Sequence, residues 1–283
     1  MEELRPLLIT YAYNIIGTYE DAKDIVQDAF LKFMNTDSDG IENKKGYLIR
    51  IVINLSINFK NRQKKLIAQY PGQWLPEPIA TDQPDEIIDR KEILSYSLMV
   101  LLEKLNARQR AVFILKEAFD YDHEEIADLL STSVENSRKL LSRAKSQLQT
   151  NVRATSQNIP ADYLEKFLHI LQTGDRLGLE KLLIEDITVT SDGGGKAVAF
   201  MNMITGRKNV TNLMTGLFRK FYNNLKYNTV TIEMGSVNHQ PALLYYENEK
   251  LVNCQILAIK DGRITDIFFM RNPDKLKILQ KVS

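Results

Sequence analysis

The sequence predicts a multidomain chain: two all-α blocks followed by an α+β block with helices against a curved antiparallel sheet. Three observations predict it. Apolar residues recur at helical three-to-four spacing from Leu7 to about residue 153. Alternating runs bounded by short turns dominate the last 57 residues, from Tyr227 onward. Between the two helical blocks the segment PGQWLPEPIATDQP, residues 71–84, carries four prolines and reads as an extended linker. With 283 residues, 44% of them hydrophobic, the chain can bury more than one core. The expected divisions are 1–68, a linker at 69–84, 85–153 and 160–283.

In the first block, Leu7, Leu8, Tyr11, Ala12, Ile15 and Ile16 form one apolar stripe ending at Gly17. Ala22, Ile25, Val26, Ala29, Phe30 and Phe33 form a second. Tyr47, Leu48, Ile51, Val52, Leu55 and Phe59 form a third, where the spacing favours helix although Ile and Val lower helix propensity. The second block opens on Asp85, Glu86, Asp89 and Glu92 and continues with a packing helix from Leu101 to Leu115. Its most informative stretch, Asp120 to Lys145, reads as a helix-turn-helix. Ile126, Leu129 and Leu130 share one face, Ser131-Thr132-Ser133 supplies a break and a hydroxyl N-cap, and a second helix opens at Val134. That helix is expected to bury Val134, Ser137, Leu140 and Leu141 while exposing Glu135, Asn136, Arg138, Lys139, Ser142, Arg143 and Lys145. Asn and Arg near a helix start can pair with base edges in the major groove, and Arg, Lys and Ser farther along suit phosphates. This element is expected to bind DNA.

The third block begins with helices around Tyr163–Leu171 and Leu177–Leu183, a strand at Ile187–Thr190 and the turn Ser191-Asp192-Gly193-Gly194-Gly195. A helix follows Gly206. Strands are expected at Tyr227–Met234, Ala242–Glu247, Leu251–Lys260 and Arg263–Met270, with turns at Asn248-Glu249 and Asp261-Gly262. Helices on one face of such a sheet make a cone-shaped pocket.

A net charge of +1 conceals strong local asymmetry. Residues 43–65 hold Lys44, Lys45, Arg50, Lys60, Arg62, Lys64 and Lys65 with no carboxylate, whereas residues 17–30 hold Glu20, Asp21, Asp24 and Asp28 against Lys23 alone. Two faces of opposite sign suggest two partners. Cys254, the only cysteine, excludes an internal disulfide and fits a reducing cytoplasm. Three scattered histidines give no metal-ligand spacing, so neither a metal nor another cofactor is expected. No apolar run is long enough to cross a bilayer.

Five motifs in order, DAKDIVQDAF at 21–30, WLPEP at 74–78, the helix-turn-helix at 122–145, DGGGK at 192–196 and NPDKL at 272–276, give the chain a resemblance to extracytoplasmic-function sigma factors. More narrowly, it resembles the group with a C-terminal SnoaL-like (NTF2-like) extension. The resemblance implies a cytoplasmic sigma factor that binds core RNA polymerase and promoter DNA, is not an enzyme, and is regulated by its C-terminal domain through the linker. It implies that Asp21, Asp24, Gln27 and Asp28 meet the clamp helices of the polymerase's largest subunit. Arg50, Asn54, Asn58, Lys60, Asn61 and Arg62 would read the −10 element, where strand separation needs cations for phosphates and a pocket for a flipped base. Glu135, Asn136, Arg138 and Lys139 would face bases of the −35 element, with Ser142 and Arg143 on phosphates. Trp74, Leu75, Pro76, Glu77 and Pro78 would be gripped by the C-terminal domain. Asp192, Gly193, Gly194, Gly195 and Lys196 belong to that regulatory surface, with Asp192 and Lys196 expected to hold the linker. So does the tail Asn272, Pro273, Asp274, Lys275 and Leu276, which also reads as an N-capped helix start.

Other readings remain at this stage. A helix-turn-helix regulator with a ligand-sensing or isomerase- or cyclase-like C-terminal domain would show the same DNA-binding element. Asp192, His239 and Asp266 are the candidate acid–base groups for such chemistry, although nothing in their spacing pairs them. A small-molecule ligand in the cone is a further expectation.

Overall fold

The computed structural model describes residues 2–36, 40–82, 88–148, 159–160, 162–226 and 230–280, leaving aside the side chains of 220–226. Asp85 and Glu86 of the acidic opening, and the strand start at Tyr227, lie outside the described residues. The chain falls into two compact units, one of Met1–Gln69, Pro84–Leu94 and Leu98–Val152, the other of Tyr70–Gln83, Ser95–Ser97 and Arg153–Ser283. Both helical blocks therefore share one unit, and the proline-rich segment belongs with the C-terminal residues.

The helical unit is built around α1 (Arg5–Ile16), which stops where Gly17 adopts a left-handed φ of 82°. Every residue of α1 from Leu8 onward is buried, because α2 (Tyr19–Met34), α3 (Lys44–Ile67) and α5 (Ala107–Glu117) surround it. The expected one-sided stripe is thus a wrapped helix, and its polar groups need partners. Asn14 supplies them by donating to the Glu92 carbonyl (2.9 Å) and accepting from the Leu94 amide (3.2 Å). Thr10 accepts from the Asp89 amide (3.1 Å), so residues 89–94 lie along α1.

A continuous helix from Leu101 to Leu115 does not form. α4 (Tyr96–Leu102) ends, and Asn106 restarts the chain as α5 through a reciprocal cap: its side chain accepts from the Gln109 amide while Gln109 accepts from the Asn106 amide. Asp122 and Glu125 repeat the device at the start of α6 (His123–Leu130). Ser131 turns the chain in the left-handed region at φ 49°, and Ser133 Oγ accepts from the Asn136 amide (3.1 Å) to cap α7 (Val134–Leu148). Ser137, Leu141, Ala144 and Leu148 form the buried face of α7; Val134 and Leu140 are half-buried.

The second unit is α+β. α8 (Tyr163–Thr173), α9 (Arg176–Leu182) and α10 (Arg207–Lys226) accompany a six-stranded sheet of β1 (Leu183–Asp192), β2 (Ile204–Thr205), β3 (Val230–Val237), β4 (Gln240–Glu247), β5 (Lys250–Lys260) and β6 (Arg263–Met270). The strand order is β2-β1-β6-β5-β4-β3. The meander β3 to β6 is antiparallel and turns at Asn238-His239, Asn248-Glu249 and Asp261-Gly262, each pair at positive φ, as two-residue hairpins require. β1, however, runs parallel to β6, so the sheet is mixed rather than wholly antiparallel. Pairing of Leu183 with Ile264 also claims residues that helical periodicity assigned to the preceding helix, which stops at Leu182. Phe167, Leu179, Ile187, Val210, Leu257 and Ile267 fill the space between the helices and the sheet. A four-residue helix, α11 (Pro273–Leu276), follows the last strand, with Asn272 as its N-cap.

Because α4 and α5 are separated only by the Asn106 cap, Asn106→Ala is expected to destabilise the helical unit by about 1 kcal/mol in denaturant unfolding. Asn106→Asp, which keeps an acceptor, should restore most of that loss.

Candidate functional site

Two arrangements stand out, a polar face on the helical unit and a buried clasp in the α+β unit. On α3, Arg50, Asn58, Asn61 and Arg62 are exposed and Asn54 is half-buried. Lys32, Tyr47, Arg50, Ile51, Asn54, Leu55 and Asn58 line an open hollow of about 430 Å³ that combines a cationic rim, amides and an aromatic wall. Those are the groups needed to hold an unstacked base beside its phosphate. Yet Arg50 Nη2 donates to Ser131 Oγ (2.6 Å), and Asn54 Nδ2 donates to the Leu129 carbonyl (3.1 Å). Part of this face is therefore occupied by the turn of the helix-turn-helix.

Lys60 corrects a sequence expectation. Its ammonium is buried instead of facing outward, bonded to both Glu103 oxygens (2.7 and 2.9 Å), Gln63 Oε1 (3.0 Å) and the Ile16 carbonyl (3.0 Å). The fully buried Arg110 pairs with the same Glu103 and donates from Nε to the Asn14 carbonyl (3.0 Å). Burial alone would raise the Glu103 pKa, but Arg110 and Lys60 outweigh it and hold the carboxyl below the usual range. This triad joins α3 and α5 across α1.

On α7, Glu135, Arg138, Lys139, Ser142 and Arg143 are exposed. Glu135 pairs with Lys139 one turn on (2.6 Å), an exposed contact of small energy that a phosphate or base can displace. Asn136 donates to Thr132 Oγ1 (2.7 Å), which ties it to the turn. On α2, Asp24, Gln27 and Asp28 are exposed and Asp21 is half-buried; the surface continues onto Leu31 and Met34, 52% and 77% exposed. Exposed acceptors beside exposed apolar groups suit a protein partner.

The clasp is centred on Asp192 at the end of β1, which has no exposed surface. Each carboxylate oxygen meets two donors. Oδ1 accepts from the Tyr70 hydroxyl (2.6 Å) and the Gly194 amide (3.0 Å); Oδ2 accepts from the Leu75 amide (2.9 Å) and Lys275 Nζ (2.7 Å). Lys275 also donates to the Leu75 carbonyl (2.5 Å) and lies 4.2 Å from the Trp74 ring centre and 5.0 Å from that of Tyr70. Asn272 Nδ2 donates to the Tyr70 hydroxyl (2.8 Å), and burial followed by the Asp192 carboxylate pushes the Tyr70 pKa well above its ordinary value.

Farther along, the linker adds itself to the sheet edge. Ile79 and Asn238 exchange two hydrogen bonds (2.8 and 2.9 Å), Ala80 bridges Val237, and the Thr81 amide donates to the Ser236 carbonyl (2.8 Å). Leu75, Pro76, Pro78 and Ile79 are buried. The glycines of DGGGK are demanded by closeness as well as by φ. A Cβ on Gly194, at φ 60°, would fall 2.4 Å from Asn272 Nδ2, and one on Gly195, at φ 70°, would fall 2.8 Å from Pro71 Cγ.

Of the two residues expected to hold the linker, Asp192 is in place and Lys196 is not. The Lys196 ammonium pairs with Asp274 in an exposed bridge within the regulatory surface itself, and Lys275 provides the cation on the linker. Tyr70 and Asn238 were missed; a tyrosine before Pro71 and an asparagine in a hairpin turn carry no signal that names a distant partner. Glu103 and Arg110 were missed likewise. As for the acid–base candidates, Asp192 spends its acceptors on the clasp, Asp266 accepts from Thr188 Oγ1 (2.6 Å), and His239 is exposed in the β3–β4 turn. Among the described residues no cluster has metal-ligand geometry, and no helix is long and apolar enough to cross a membrane.

Comparison with known proteins places these features. Residues 1–66 match the family model described as Sigma-70 region 2, and residues 95–148 match Sigma-70, region 4. The chain is similar to the ECF RNA polymerase sigma factor SigJ of Mycobacterium tuberculosis, 29% identical over 285 residues that cover 97% of this chain and 91% of that protein. The RNA polymerase sigma factor YlaC of Bacillus subtilis is 29% identical over 51% of this chain and 85% of its own. The crystal structure of M. tuberculosis SigJ superposes with a TM-score of 0.78 at 26% identity, covering 97% of this chain and 96% of that one.

Asp192→Ala strands a buried ammonium and is expected to cost about 3–5 kcal/mol of the α+β unit's stability in chemical unfolding. Lys275→Met should cost less, because Asp192 keeps three neutral donors. Both should shift the emission of Trp74, the only tryptophan, to the red.

Proposed function

We propose that this chain, which belongs to the extracytoplasmic-function group of the sigma-70 family, controls promoter reading by having its C-terminal domain clasp its own interdomain linker. It is a sigma factor, and the family binds core RNA polymerase and promoter DNA. The finer assignments are our reading. Asp21, Asp24, Gln27 and Asp28 on α2 meet the clamp helices of the largest subunit. The hollow on α3 takes a separated −10 base, with Tyr47 as a stacking wall and Arg50, Asn58, Asn61 and Arg62 near the backbone. α7 enters the −35 major groove with Glu135, Asn136, Arg138 and Lys139 toward bases and Ser142 and Arg143 toward phosphates. Such a protein works in the cytoplasm.

The observation that supports regulation best is that Arg50 and Asn54, two −10 candidates, are bonded to the helix-turn-helix turn. Lys60, a third, is neutralised by Glu103. A chain in this state has its two readers engaged with each other. Promoter elements lie tens of ångströms apart at about 3.4 Å per base pair, so they must separate. Residues 70–83 could span roughly 46–50 Å if extended. Docked through Tyr70, Leu75 and 79–82 they cannot, and the clasp thereby favours the closed arrangement. Core polymerase, or a small ligand in the cone, would shift the balance toward opening.

The test is run-off transcription and DNA binding with purified core polymerase. Asp192→Ala and a chain ending before residue 160 are expected to bind promoter DNA at least about tenfold more tightly than the full chain, a shift of about 1.4 kcal/mol. Unchanged affinity in both would end the regulatory reading. Asp24→Ala with Asp28→Ala should weaken core binding and leave free-DNA binding alone. Arg143→Ala should lower the salt slope of DNA binding by about one. Glu103→Gln, which leaves Lys60 and Arg110 without their counter-charge, should open the helical unit without touching the clasp.

A further inference from the structure

The concave face of the C-terminal sheet should by its pattern be apolar, since Leu243, Leu257, Ile259 and Ile267 all point to the helices. Three polar side chains interrupt it. Tyr245 on β4 and Asn253 and Gln255 on β5 are 5%, 4% and 1% exposed, and the Tyr245 hydroxyl donates to Gln255 Oε1 (2.8 Å). Asn253 Oδ1 and Gln255 Nε2 have no hydrogen-bond partner. Turning the Gln255 amide over exchanges which atom meets Tyr245, yet one polar atom still faces inward unpaired. Buried amide groups without partners are rare in native proteins because they forfeit their hydration.

All three line one hollow, whose remaining wall includes Leu171, Met214, Phe218 and Phe269. With its open mouth it measures about 300 Å³, at the small end of ligand-binding pockets, and its enclosed depth of about 20 Å³ has room for about one water. None of these residues is charged, so an ionic guest would be left uncompensated. The apolar wall and the adaptable Met214 side chain suit a hydrocarbon body. The two open amide atoms ask for a single group that donates to Asn253 and accepts from Gln255.

We infer that this hollow binds a small uncharged molecule, mainly apolar, carrying one hydroxyl, and that its occupancy is transmitted to the linker clasp. A hydroxyl meets both demands at once, and a carbonyl meets only the second. Transmission follows from the register: Phe269, in the wall, pairs with Ser191, the neighbour of Asp192, and lies three residues before Asn272. A guest that moves β6 moves both halves of the clasp. The inference deepens the proposed regulatory role and rests on it.

Cyclohexanol, cyclohexanone and methylcyclohexane, similar in bulk and differing in polar groups, serve as probes on the full chain. Binding is read by ligand-observed NMR and thermal shift, and the clasp by Trp74 emission. Cyclohexanol should bind saturably and about tenfold more tightly than methylcyclohexane, with cyclohexanone between them, and should shift Trp74 emission in the direction Asp192→Ala does. Gln255→Leu with Asn253→Leu should abolish the preference for cyclohexanol. Equal binding of all three probes, or binding of none because the hollow keeps only a water, overturns the inference. So does cyclohexanol binding that leaves Trp74 unmoved. If Asp192→Ala itself fails to alter Trp74 emission or promoter affinity, the regulatory reading fails instead, whatever the probes do. Should the double variant not fold, the comparison of the three probes on the unmodified chain still decides.

Discussion

A carboxylate withdrawn wholly from water must have its charge and all its acceptor capacity met by the protein, and Asp192 imposes that constraint on the C-terminal unit. Its four donors come from three places in the sequence: the linker gives Tyr70 and Leu75, the glycine turn gives Gly194, and the tail gives Lys275. None can leave without exposing the others' unmet charge. A buried ion pair adds little net stability compared with apolar packing, but removing one partner is costly. Such a pair selects between arrangements more than it strengthens any one of them. The glycines follow from the same demand, because only a chain without side chains lets Asn272 and Pro71 come so near.

The helical unit contains a second buried charge centre with the opposite composition, two cations on one carboxylate. Lys60 and Arg110 meet at Glu103, and Asn14 of the central helix closes the network. Glu103 stands where a phosphate would stand if Lys60 faced nucleic acid. Because its pKa is held down, its contribution to the closed packing is complete above its ordinary pKa of 4.5 and declines as pH falls below that. Both centres place charge where water is absent, and in both a mobile partner could substitute for a protein group. Regulation by exchange of buried partners is the common physical theme.

Much of this was legible in the sequence. The helices of the first 150 residues, the helix-turn-helix with its Ser133 cap, and the hairpins at Asn248-Glu249 and Asp261-Gly262 follow from periodicity and turn chemistry. A tryptophan and a leucine inside a proline-rich stretch signalled that the stretch had something to dock on, and Leu75 is buried as that signal required. What was not legible depends on contacts far apart in the chain. Lys60 looked like its basic neighbours, and only the fold reveals that Glu103 lies against it. The parallel pairing of β1 with β6 leaves no local trace. Lys196 and Lys275 sit in equally suggestive motifs, and which one reaches the linker is decided by the geometry of α11. The break at Asn106 was readable from its cap with Gln109, but apolar periodicity on both sides obscured it.

The central claim is that the linker is held by Asp192 and its partners. Amide hydrogen exchange of the full chain, resolved at Leu75 and Ile79, tests it most directly, since an undocked linker has no other shelter for those amides. The clasp predicts slow exchange at both positions in the native chain, and at least about a hundredfold faster exchange at Leu75 in Asp192→Ala, equivalent to losing about 2.7 kcal/mol of local protection. Exchange at Leu75 near the rate of an unstructured peptide in the native chain would contradict it.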